Sequence, residues 1–249
     1  MEKKTEIVEN FKKAITSTIK SIIGDQNIEV TFGNEPNKKN DKTINLPSLK
    51  SINNIDDYIK TRGMADSEAL KFRCSDLNIY NSFEPQGSMS KLLYAVAEKV
   101  RYENIGSTYF KGVKENLNNL YKIKNKIKIE HKNNDYEFLD AFEYYLRSNI
   151  LKSDRNKESE DKFRKFKKKL DSKLKDELEL LNNSLIDQKK FNSLISKIIS
   201  QFQIDEISES NQNESDQKNN ENLENKEKSE NNENSQDSEN NEMSIDTDL

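Results

Sequence analysis

The chain has 249 residues, with 41 Lys and Arg against 45 Asp and Glu, 32% hydrophobic residues and a mean hydropathy of −1.04. That length accommodates one large domain or two small ones, but the apolar share is too low for a chain folded from end to end. A single cysteine, Cys74, excludes an internal disulfide, and a single histidine, His131, leaves no Cys/His set for structural zinc. No run approaches the roughly 18 consecutive apolar residues of a membrane span, and residues 1–10 are charged where a signal peptide is apolar. The expectation is a cytoplasmic protein, neither secreted nor membrane-spanning.

From the amino terminus, Ile7, Val8, Phe11, Ile15, Ile19 and Ile22 recur at three-and-four spacing, which predicts a helix over 5–23 with Gly24 at its C-cap. Ile28, Val30 and Phe32 then alternate with polar residues, and Ile44 and Leu46 do the same after the polar stretch 34–42. Two short strands joined by that loop predict a small β-hairpin, which needs helices to pack against. Helical patterning resumes near Ile59 or Ala65 and runs to about Tyr80, with Ala69, Phe72, Arg73, Leu77 and Tyr80 in register.

The run Phe83-Glu84-Pro85-Gln86-Gly87 breaks that pattern, and Ser88 is placed to cap a helix striped by Leu92, Leu93, Val96 and Val100. Gly106 and Gly112 bracket an expected short connection. Val113, Leu117, Leu120 and Tyr121 open another helix, which turns ambiguous at 122–129, where lysine alternates with isoleucine. Residues 135–151 carry Phe138, Leu139, Phe142, Tyr145, Leu146 and Ile150, a face wide enough for a core helix. A narrow stripe of Phe163, Phe166, Leu170, Leu174, Leu178 and Leu181 predicts a long surface helix or hairpin arm over 158–181. Asn183 or Ser184 is expected to begin a last helix bearing Phe191, Leu194, Ile195, Ile198, Ile199 and Phe202.

Beyond Ile204 aromatic residues vanish, and residues 205–249 hold 15 acids against 3 lysines, leaving the preceding part near +8. Such a segment cannot bury enough apolar surface to offset an ordering entropy of about 1 to 2 kcal/mol per residue, so a disordered acidic linker or tail is expected. The domain reading is a helical body over 1–204, with a sub-boundary near 122–134, followed by that tail over 205–249. The fold class is mainly α: a multi-helix domain with one small β-hairpin near the N-terminus.

The chemistry available is limited. No G-x-x-x-x-G-K-[ST] run cradles a phosphate, and no D-x-S-x-S run opens a metal-ion-dependent adhesion site. A Cys74/His131 dyad would join residues about 57 positions apart, and the plain reading is a helix cysteine half-buried among Ala69, Phe72 and Leu77. The lysine-rich stretches 122–132 and 162–169 lack the exposed interleaved aromatics of a nucleic-acid surface and read as solvated helix faces. One cluster remains: Arg62 and Asp66 opening a helix, Arg73 and Asp76 following, and Arg101 and Glu103 ending the next helix before Ile105-Gly106. Two readings of it stand, a polar network that fixes how helices meet or an interface that grips a partner.

The same residues carry a family resemblance. Phe11-Lys12-Lys13-Ala14, Gly24, Glu29-Val30-Thr31-Phe32-Gly33, Leu46-Pro47, Arg62-Gly63-x-Ala65-Asp66, Ala69-Leu70, Arg73, Asp76 and Pro85-Gln86-Gly87 occur in that order. Ala95, Glu98, Arg101, Glu103, Ile105-Gly106, Gly112-Val113 and Asn116-Leu117 continue the series, and Asp187-Gln188 leads into Phe191 and Leu194. In these features the chain resembles the T subunit of aerobic cobaltochelatase (CobT). The resemblance implies a non-catalytic subunit that assembles with an AAA+ ATPase subunit (CobS-like). That pair drives a large corrin-binding subunit (CobN-like) to insert cobalt(II) into a corrin ring, hydrogenobyrinic acid a,c-diamide, in aerobic cobalamin biosynthesis.

It implies no catalytic, cofactor or metal residue on this chain, ATP and Mg on the AAA+ partner, cobalt(II) as substrate of the complex, and a hetero-oligomer without nucleic acid or membrane. Family members usually continue past the acidic linker into a von Willebrand A domain. This sequence stops after the linker, which reads either as a fragmentary chain or as a last domain on another polypeptide. The reading from another class is a general helical adaptor with an acidic tail.

Overall fold

The computed structural model describes residues 2–33, 42–49, 54–126, 134–152 and 157–202, and the structural statements below concern those residues. All of them belong to the first of two units, 1–203 and 204–249. The expected disordered tail, His131, most of the loop 34–42 and most of the sub-boundary near 122–134 lie outside the described residues.

Helix α1, Glu2–Ile23, buries Val8, Phe11, Ile15, Ile19 and Ile22, the stripe that its spacing predicts. Gly24 follows at φ 82°, its N–H donating to the Lys20 carbonyl at 2.9 Å. Strands β1, Glu29–Phe32, and β2, Thr43–Leu46, form the small sheet, but they pair in parallel, with Glu29 opposite Thr43 and Phe32 opposite Leu46. The expected hairpin is therefore corrected to a parallel pair. Alternation with a period of two selects the face that packs inward, here Ile28, Ile44 and Leu46, but it is the same for either strand direction. The connection 33–42 is also long enough to return along a strand of roughly 13 Å, so its length does not force a tight turn.

Helix α2, Ile55–Cys74, is capped by Asn54, whose side chain accepts from the Asp57 N–H at 2.8 Å. It packs against α1, against α4, Ser88–Tyr109, and against α5, Lys111–Lys126. Instead of continuing to Tyr80, α2 ends at Ser75, and α3, Leu77–Phe83, starts after Asp76, whose carboxylate accepts from the Asn78 and Ile79 N–H groups. The Phe72/Leu77 register is not the buried face of α2. Gly63, Ala65, Asp66, Ser67, Ala69 and Leu70 are buried there, while Phe72 and Leu77 are exposed.

Gly106 does not end a helix, since α4 runs through it to Tyr109, and Arg101 and Glu103 lie in the helix interior. A Cβ at Gly106 would overlap the Leu70 side chain, and one at Gly63 would lie 2.6 Å from the Leu120 Cβ. The two glycines let α4 and α5 approach α2 more closely than a side chain would permit. Nor does Ser88 cap α4: Gly87 holds that position with no side-chain cap.

The remaining helices form a second layer of packing. α6, Asn134–Leu146, runs into a π-helical turn, Arg147–Leu151, closed by Lys152 in the left-handed region at φ 50°. α7, Lys157–Leu174, stops at a turn, and α8, Leu178–Ser184, follows, so the stretch 158–181, expected as a long surface helix or hairpin arm, holds two helices and not one long one. α9 is Gln188–Ser200, capped by Asp187 rather than by Asn183 or Ser184, which end α8. Phe138 meets Phe166 and Phe202 edge-on, each with ring centroids 5.4 Å apart, and so joins α6, α7 and the end of α9. Among the described residues no helix is long and apolar enough to cross a membrane.

Candidate functional site: buried ionic networks on α2 and α4

The six residues singled out in the sequence do not form one cluster. Arg101 and Glu103 stand two positions apart on α4, which places them roughly 200° apart around a helix of 3.6 residues per turn. They face different neighbours.

Arg101 is 1% exposed and fully engaged. Its Nε and Nη2 donate to the two Glu98 carboxylate oxygens, each at 2.8 Å, in a forked pair one turn apart on α4. Nη1 donates to the Leu185 carbonyl at 3.0 Å and Nη2 to the Cys74 carbonyl at 2.5 Å. Glu98 also accepts from Ser75 Oγ at 2.7 Å and from Gln188 Nε2 at 3.2 Å. The Gln188 amide in turn brackets Asp76, accepting from its N–H at 2.8 Å and donating to its carbonyl at 3.1 Å. One guanidinium thus joins the α2–α3 turn to the α8–α9 turn across α4.

Glu103 is 0% exposed and serves the opposite side of α4. Arg147, at the start of the π-helical turn, donates from Nη1 to its Oε2 at 2.7 Å, and Ser67 Oγ donates to Oε1 at 2.6 Å. Tyr121 OH donates to Oε1 at 3.2 Å while accepting from Arg147 Nη2. Arg147 also donates from Nε to Glu143 at 2.9 Å, and Lys124 Nζ lies 3.3 Å from the other Glu143 oxygen. Burial opposes ionisation of Glu143, yet Lys124 and Arg147 outweigh it and hold the carboxyl well below the ordinary glutamate range. Burial pushes the Tyr121 phenol well up, so it remains a neutral donor.

The other members sit apart. Asp66 is 0% exposed between Asn116, whose Nδ2 donates to it at 2.6 Å, and Arg62, 3.3 Å away at i−4. Burial raises its carboxyl, against the opposing pull of Asn116 and Arg62. Arg73 turns toward α1, donating to the Ile22 carbonyl in that helix's last turn and covering the Phe110 ring at 5.8 Å. Asp76 is spent on capping α3.

Among the further residues that belong to these networks are Glu98, Asn116, Arg147 and Gln188. Glu98 and Asn116 stand in the family-like series and Gln188 in its closing pair, so a signal for them was present. Arg147 had none beyond its place on the aromatic helix. Among the described residues, no three His, Cys, Asp or Glu side chains are grouped as metal ligands would be.

These features define a mainly helical protein with a small accessory sheet, in which buried ion pairs lock helices and turns together. The family model of cobalamin biosynthesis protein CobT matches residues 5–248, and the chain belongs to that family. Membership places it in cobalamin biosynthesis, as a cobaltochelatase subunit that works in a complex. The resemblance read from the sequence is thereby borne out. No solved structure matches the chain.

Proposed function

We propose that this helical body is a non-catalytic assembly subunit of an ATP-dependent cobaltochelatase in the cytoplasm. In this reading it binds an AAA+ ATPase subunit, which carries ATP and Mg. The pair then acts on a large corrin-binding subunit that inserts the substrate cobalt(II) into hydrogenobyrinic acid a,c-diamide.

The observation that carries the reading is the family match over residues 5–248. The geometry supports it, because Arg101, Glu103 and Arg147 are spent on the chain's own backbone and carboxylates, which leaves the outer face as the body's means of acting. A rigid helical body held by satisfied buried pairs suits transmission of force between partners better than an adaptable loop surface does.

The test mixes the full chain with its cognate AAA+ subunit and measures complex mass by light scattering, with and without ATP. A stable hetero-complex in either condition is the expected result. Two separate masses in both conditions would remove the assembly role.

A further inference from the structure

In the small sheet, β1 lies on the outer side. Among the described elements it packs closely along β2 alone, whereas β2 also meets α2. Burial agrees: Ile44 and Leu46 of β2 are buried, while their register partners on β1, Val30 and Phe32, are only half-buried. The apolar face of the sheet thus runs on past its cover at β1.

The ladder fixes which way the backbone of β1 points. Glu29 donates its N–H to the Lys42 carbonyl at 2.9 Å, and Gly33 donates to the Leu46 carbonyl at 2.8 Å. Alternate residues of a strand bond to the same neighbour, so Glu29, Thr31 and Gly33 face β2, and the N–H and C=O groups of Val30 and Phe32 point away from it. Those groups meet no backbone partner among the described residues. Natural edge strands are commonly blocked by lysine, proline or a bulge, and Val30-Thr31-Phe32 has none of these.

This edge is complementary to itself. When two β1 strands run antiparallel about a twofold axis at Thr31, Val30 stands opposite the partner's Phe32, and the outward groups of those two residues bond reciprocally. Val30 and the partner's Phe32 then lie side by side on one face, a β-branched residue beside an aromatic, and the two Thr31 side chains meet on the other. Glu29 stands opposite the partner's Gly33, so the pairing sets no carboxylate against its own copy. The order apolar, polar, apolar reads the same in both directions, which matches side chains as well as backbone.

We propose that the outer edge of β1 pairs antiparallel with β1 of a second copy of this chain, joining the two small sheets into one. An edge this short buries much less than the roughly 1,200 Å² of a stable interface. The pair is therefore weak in the free chain and strengthens where an assembly holds copies side by side.

The experiment uses the full chain carrying Thr31→Cys, with Glu29→Cys and wild type as controls. Facing residues of a non-hydrogen-bonded antiparallel pair have Cα atoms about 4.5 Å apart, within disulfide range. Two copies of position 29 would stand roughly 14 Å apart along the strands. Mild oxidation should link at least half of Thr31→Cys into a dimer, mapped as position 31 to position 31, with at most a tenth of that yield for Glu29→Cys. Wild type, which keeps Cys74, sets the background. Val30→Pro removes one outward N–H and leaves the ladder to β2 intact, so sedimentation over a concentration series should show self-association at least tenfold weaker than in wild type.

A Thr31→Cys yield no higher than that of Glu29→Cys overturns the pairing, as does self-association that Val30→Pro leaves unchanged. A wild type that stays monomeric while Val30→Pro weakens binding to the AAA+ subunit assigns the edge to a strand of that partner. That result overturns the proposal and leaves the assembly reading intact. Circular dichroism is the fold control, and the cysteine comparison decides alone if Val30→Pro does not fold.

Discussion

The two faces of α4 use buried charge in different ways. On one face Arg101 pairs with a carboxylate one turn away on its own helix and spends its remaining donors on backbone carbonyls at two turns. On the other face Glu103 reaches Arg147, 44 positions on, and its further partners are the side chains of Ser67 and Tyr121. The first network fixes where helices stop; the second fixes how helices lie side by side. A buried pair whose donors are committed to backbone has no substitute when it is removed. A pair embedded among other side chains retains partial compensation, as Arg147 does through Glu143.

This contrast predicts unequal losses. Arg101→Met should be the most damaging change, costing about 3 to 5 kcal/mol, because it leaves Glu98 buried without its counter-charge and two carbonyls without a donor. Urea unfolding of wild type and variant measures it, and an equal midpoint would show that the turns hold without the guanidinium. Glu103→Gln should cost less, about 1 to 3 kcal/mol, since Arg147 keeps Glu143. If it proves the costlier of the two, the proposed difference between the faces is wrong. Asp187→Ala should cost only about 1 kcal/mol, the usual loss of an N-cap, read as a small drop in thermal midpoint with helicity retained.

The smallest effects concern pH. The folded state depresses the Glu143 carboxyl, so its stabilisation is present above the ordinary glutamate range and is lost as pH falls toward its folded value. Glu143→Gln should flatten the acid limb of a stability–pH curve measured from about pH 3 to 7. The Asp66 carboxyl is raised, so its folded form favours the proton and stability is lost as pH rises from the ordinary aspartate range through the raised value. Asp66→Asn should therefore gain on wild type as pH rises through that window. If the two variants shifted in the same direction relative to wild type, the same pair of curves would contradict one of the two assignments.

Much of the architecture was legible in the residues because burial imposes a period. The α1 stripe, the aromatic face of α6 and the apolar face of α9 were readable from i, i+3, i+4 spacing, and β1 and β2 from alternation. Helix ends were read less well. Asp76 and Asp187 are ordinary N-cap residues, but Asp76 lies within an apolar register that continues to Tyr80, and Asn183 and Ser184 offer the same capping chemistry one turn before Asp187. Gly106 has the sequence signature of a break, because glycine usually marks one, while in the fold it clears space for Leu70 inside a continuous helix.

The candidate site divides in the same way. Sequence alone determined which charged residues stand out from a lysine-rich background, the mainly helical class, and the family series that the CobT match sustains. It also determined which face of each strand packs inward. Strand direction, the separation of Arg101 from Glu103 onto opposite faces, and the meeting of Arg101 with two turns, one 27 residues before it and one 84 residues after, were decided only by tertiary structure. The physical reason is that periodicity is a local property, recorded residue by residue along the chain. A buried guanidinium is satisfied by whichever carbonyls the packed helices bring to it, and those carbonyls belong to every residue type alike.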